Sequence, residues 1–153
     1  MTPRRRLLAA AAATSAAAAV LTGCEKPAPI VTVVSGGQSV YAEAAEFCFD
    51  EGQTLDSGQC AQRATEVTEL AVRPGERIGI DVDGELADRG WQLVISDPAD
   101  PQRTQASGTI TDHYFPFTTP GIAPGGQLLL TVRTVDAQDA ATGEWQFALV
   151  SEQ

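Results

Sequence analysis

The sequence predicts an all-β fold, a single Greek-key or immunoglobulin-like β-sandwich over residues 30–153. Three observations predict it. Short runs carry apolar residues at every second position, clusters of Gly, Pro and Asp separate them, and no window of ten residues beyond residue 23 holds a convincing helical period. About seven to nine such runs, spaced roughly 8–15 residues apart within one domain's length, are the signature of two packed antiparallel sheets.

The elements follow in order. Ile30–Val34 (IVTVV) is β-branched and reads as a first strand, although no face is cleanly apolar. Gly36-Gly37 predicts a hairpin into Gln38–Tyr41. Ala42–Phe47 (AEAAEF) is the best helical candidate and is short. Glu66–Val72 puts Leu70 and Val72 on one face, and Arg73-Pro74-Gly75-Glu76 reads as a turn. Ile78, Ile80 and Val82 alternate with Arg77, Gly79 and Asp81. Trp91, Leu93 and Ile95 alternate in the next strand, which places Trp91 to fill the space between the sheets. Asp97–Pro101 (DPADP) is a breaker. Leu128, Leu130 and Val132, then Trp145, Phe147 and Leu149, complete the pattern.

The first 23 residues are of another kind. Arg4, Arg5 and Arg6 precede an uncharged apolar stretch, Leu7–Leu21, too short for the roughly 20 residues that span a bilayer core. A charged start, a short apolar middle and small residues before a break describe a secretory signal. It ends in Leu21-Thr22-Gly23-Cys24, which resembles the bacterial lipobox. That resemblance implies cleavage between Gly23 and Cys24 and diacylglyceryl transfer to the Cys24 thiol, with small residues admitting the backbone to a peptidase cleft. Acyl chains contribute about 0.8 kcal/mol per buried methylene, so two or three anchor firmly. The expected organisation is a lipoprotein signal peptide at 1–23, a lipidated cysteine and short tether at 24–29, and the sandwich at 30–153. Arg4–Leu8 also partly matches a twin-arginine signal, so both export routes stay open.

The formal charge of the chain is −10. Loss of Arg4, Arg5 and Arg6 leaves seven basic against twenty acidic residues, or −13. Such a surface repels phosphates, which disfavours nucleic acid as a partner. Outside the cytoplasm, Cys48 and Cys60 are expected to pair, closing a loop of Gly-containing sequence (FDEGQTLDSGQ). Zinc fails on ligands, because His113 is the only histidine and a structural site needs four N or S donors.

No cofactor or catalytic residue is expected. His113 has Thr111, Thr118 and Asp112 near it in sequence but no nucleophile elbow. A blue-copper site needs two histidines. Asp81-Val82-Asp83-Gly84-Glu85, with Asp88, lacks the glycine spacing of an EF-hand, which leaves an irregular calcium site or a polar connection between strands. Asp97, Asp100, Asp136 and Asp139 fall in turns, with nothing in sequence to pair them as glycosidase carboxylates. His113–Gly126 (HYFPFTTPGIAPGG) is the most unusual loop. It reads either as an edge strand broken by Pro116 with aromatics packed inward, or as an exposed surface of Tyr114, Phe115 and Phe117 for a partner.

Several segments together resemble a family of small actinobacterial lipoproteins known as a domain of unknown function. They are Cys-Glu-Lys-Pro at residues 24–27, the valine-rich first strand, Cys48 and Cys60, IGIDVDGELADRGWQLVI at 78–95, and the closing GEWQFALV at 143–150. The resemblance implies a secreted, lipid-anchored, mostly β protein and supplies no activity. The expected role is a non-catalytic envelope binding or accessory module on the extracytoplasmic face of the cell membrane. Its partners would be the membrane, through the anchor, and an envelope protein. The alternative is a small-ligand or lipid carrier with a cavity between the sheets.

Overall fold

The computed structural model describes residues 26–63 and 66–152; the predicted signal, its cleavage site at Gly23 and Cys24 lie outside these residues. Two sheets pack face to face as a β-sandwich. The strands are β1 (Ile30–Ser35), β2 (Gln38–Glu43), β3 (Glu46–Phe47), β4 (Ala61–Gln62), β5 (Thr68–Val72), β6 (Arg77–Val82), β7 (Trp91–Asp97), β8 (Asp100–Ala106), β9 (Tyr114–Thr118), β10 (Gln127–Val135) and β11 (Ala141–Ser151). One short helix, α1 (Gly84–Arg89), links β6 to β7, and a 3-10 turn covers Leu55–Ser57.

The smaller sheet runs β2-β1-β6-β9. The larger runs β4-β3-β11-β10-β7-β8, with β5 lying parallel to the second half of β11 on the edge that β3 leaves free. The run β11-β10-β7-β8 facing β1-β6-β9 has the Greek-key order of immunoglobulin-like sandwiches. The other strand pairs are antiparallel.

Alternation does what the sequence predicts in β6, β10 and β11, and it also sets β1, for which the sequence offered no cleanly apolar face. Val31 and Val33 of β1, Ile78, Ile80 and Val82 of β6, Leu128, Leu130 and Val132 of β10, and Trp145, Phe147 and Leu149 of β11 all point into one core. Trp91 is fully buried there and meets Phe115 edge-on, with centroids 6.2 Å apart. Its ring N–H donates to the Asp112 carbonyl at 3.0 Å. Trp145 donates to the Pro29 carbonyl at 2.9 Å, so both indoles bury their bulk and satisfy their one donor.

Three local expectations are refined. Ala42–Phe47 forms the end of β2 and β3 rather than a helix. The breaker Asp97–Pro101 is instead a tight turn that opens β8, an edge strand exposed along its whole length. The connection after Val82 coils into α1, capped by Asp83, whose carboxylate accepts from the Gly84 amide at 2.9 Å.

Candidate functional site

Strand directions sort the loops into two ends. β1 begins at Ile30, and its antiparallel neighbours β2 and β6 finish beside it at Glu43 and Val82. The tether, α1, the start of β7, the β10–β11 hairpin and the loop from Cys48 to Cys60 therefore gather at one end, called here the tether end. The turns at Gly36-Gly37 and Pro74-Gly75 lie at the opposite end.

Residues 26–29, the predicted tether, are seated on the domain. Pro29 is buried, Ala28 is half-buried against the core, and the Pro29 carbonyl takes the Trp145 bond. Upstream, Lys26 pairs with Glu85 of α1 at 2.9 Å. Glu85 also pairs with Arg89 one turn on, at 2.9 Å. The Lys26 ammonium holds the Glu85 carboxyl below its ordinary value, with partial burial opposing. Cys24 stands only two residues before Lys26 in the sequence.

Cys48 and Cys60 are joined by a disulfide, with Cα atoms 4.4 Å apart. The bond closes the loop between β3 and β4. Arg89 then ties that loop to α1: its guanidinium donates to the Cys48 carbonyl at 3.1 Å and lies 5.0 Å from the centroid of the Phe47 ring.

The aromatic strand β9 is the edge of the smaller sheet and runs on through Pro116, whose partner is Gly79. The pleat divides its aromatics. Phe115 and Phe117 face Ile80 and Ile78 and pack half-buried against the core, whereas Tyr114 stands on the outer face at 52 % exposure. The Tyr114 ring folds over Gly79, where a Cβ would collide with it. A glycine in mid-strand thus makes room for an aromatic cover. Ile30, Val34 and Tyr41 share that outer face. With Tyr114 they are four of the five large apolar side chains exposed among the described residues, the fifth being Val67 just before β5.

The outer face of the larger sheet is different. Across its tether-end row Glu46, Glu144, Arg133 and Gln92 stand side by side. Arg133 donates twice to the Gln92 side-chain carbonyl, at 2.8 and 3.1 Å, and Gln92 donates on to Asp139 at 3.4 Å. Further along, the sheet carries Val94, Leu129, Thr131 and Val150, all half-buried.

The titratable candidates disperse. Asp83 caps α1 and Glu85 is held in ion pairs; no group of three or more metal-ligating side chains occurs among the described residues. Asp97 and Asp100 bond within the β7–β8 turn, while Asp136 holds the β10–β11 hairpin at the other end of the molecule. His113 is exposed beside Gly84, and its carbonyl accepts from the Val82 amide at 2.8 Å. Two surface depressions border β11: one of about 330 Å³ against Glu46, Arg63 and Glu144, the other of about 320 Å³ against Tyr41, Glu66 and Gln146. Sequence reasoning missed the seating of residues 26–29 and the outer face around Ile30. The signal was present in the alternation Ile30, Thr32, Val34, which places apolar residues on both sides of β1.

No model of a known protein family matches the chain, and no curated protein matches it significantly.

Proposed function

We propose that this chain is an extracytoplasmic lipoprotein, anchored to the cell membrane through Cys24, that acts as a non-catalytic envelope binding or accessory module. The observation that carries the reading is the lipobox-like Leu21–Cys24, followed within two residues by a seated tether and a disulfide-closed domain. A disulfide suits an oxidising compartment. The dispersal of the carboxylates and His113 favours binding over chemistry, which needs groups within hydrogen-bond reach of one another. The interior favours an accessory module over a carrier, because Trp91, Trp145, Phe47 and Phe147 fill the space between the sheets at full burial. A partner protein would be identified by crosslinking the anchored chain in cells.

Cys24→Ser tests the anchor. The variant is expected to leave the membrane fraction and to accumulate as precursor or released protein. Membrane retention with unchanged processing refutes the anchor.

A further inference from the structure

The tether-end rows of the smaller sheet's outer face mix exposed apolar side chains with carboxylates. Counting from the anchored end, the first row holds Ile30 opposite Glu43, and the second holds Tyr41, Thr32, Asp81 and Tyr114 in register. Ile30, Tyr41 and Tyr114 are 46, 66 and 52 % exposed. Val34 adds a third row beside Gly79. Together with Val34, those three make up four of the five large apolar side chains exposed among the described residues. They lie on the sheet whose first strand follows directly from the tether.

We propose that this face rests on the interfacial layer of the bilayer, so that the domain lies tilted on the membrane in one orientation. The inference rests on the lipoprotein reading. The length of chain outside the described residues, and where it ends, select the occupant. Lys26 stands two positions after Cys24, with only Glu25 between them, a reach of about 7 Å when extended. Lys26 is paired to α1 and Pro29 is bonded to Trp145, so no long leash carries the domain away from the lipid. A body held that closely touches the bilayer with whatever lies beside its attachment point. Of the surfaces there, α1 and the hairpin at Asp136 present carboxylates, which anionic headgroups repel. The outer face at Ile30 also carries Glu43, paired with Arg63 at 3.0 Å, and Asp81, but it adds one aliphatic and two tyrosine side chains. Tyrosine, with an apolar ring and a polar tip, is the residue type suited to the headgroup layer. The contact is small, and anchoring supplies the effective concentration that makes it persist.

The experiment couples the chain from Cys24 onward, with Cys48–Cys60 oxidised, to a maleimide lipid in nanodiscs of phosphatidylcholine and phosphatidylglycerol. Cys24 is then the one free thiol. A nitroxide-headgroup lipid broadens the NMR signals of groups near the membrane. Broadening several-fold stronger at Ile30, Val34 and Tyr41 than at Val94, Leu129 and Val150 is expected, and the double variant Ile30→Ser/Tyr41→Ser is expected to even it out. Equal broadening on both faces of the starting chain, or stronger broadening on the larger sheet, overturns the proposal. Protection of the Ile30 face that grows with protein density at fixed lipid assigns it to a second copy and overturns it as well. The lipid is supplied chemically, so the outcome is independent of whether cells lipidate Cys24, which the Cys24→Ser fractionation reads separately.

Discussion

At the scale of single residues, Gly79 and Tyr114 make the sharpest pair. Replacing a strand glycine by alanine normally stabilises by about 0.4–1 kcal/mol where the backbone tolerates it. Here the added methyl meets the tip of the exposed Tyr114 ring, which must swing aside and give up its cross-strand cover. Gly79→Ala is therefore expected to forfeit that gain and to cost up to about 1 kcal/mol, the scale of a cross-strand pair. Urea denaturation measures it. With Tyr114→Ala in the background the cost should largely vanish, and strict additivity of the two changes would disprove the contact. Glu85 gives a pH dependence of known sign. Its folded-state pKa lies below the ordinary 4.5, first because Lys26 bonds it. The pair's contribution is therefore present above the ordinary value and is lost as pH falls through the lowered one. The ammonium is well exposed, so the stake is below about 1 kcal/mol. Acid titration should release the tether, seen as NMR shifts of Lys26 and Ala28, and Glu85→Gln should show the released shifts already at neutral pH.

At the scale of elements, the cystine loop and α1 form one unit. Cys48→Ser with Cys60→Ser removes a cross-link over a short loop, for an expected loss of about 3 kcal/mol in the chain-entropy model. Because Arg89 reaches from α1 to the Cys48 carbonyl, hydrogen exchange of the α1 amides should quicken in the same variant. Unchanged exchange there would show that the helix does not depend on the loop. These elements also show what sequence makes legible. β6, β7, β10 and β11 alternate because one side faces a core, and that alternation is visible in their residues. β8 buries neither side, so its DPQRTQA carries no period to read. α1 is six residues long, too short for a repeat, and only Leu86 and Ala87 mark its inner face. β3 and β4 are two residues each and exist because the disulfide and the β11 edge hold them. The aromatics of β9 were ambiguous for a related reason: their facing depends on a register with β6 that no local pattern fixes.

At the scale of the whole molecule, the fold class was readable because β6, β7, β10 and β11 carry a two-residue apolar period in their sequences. The site was less readable, because a face acquires meaning from strands far apart in sequence: Ile30, Tyr41 and Tyr114 are neighbours only once β1, β2, β6 and β9 have paired. The same pairing has a mechanical consequence. β1 leads directly from the tether and is flanked on both sides, by β2 along its whole length and by β6 along most of it. Ladder bonds lie across the strand axis. A pull between an anchored Cys24 and a load at the far end would run along β1 and shear both ladders at once instead of peeling them bond by bond. The strand nearest the proposed anchor at Cys24 is thus the one best placed to bear tension, and a domain so held would come away only after yielding as a unit.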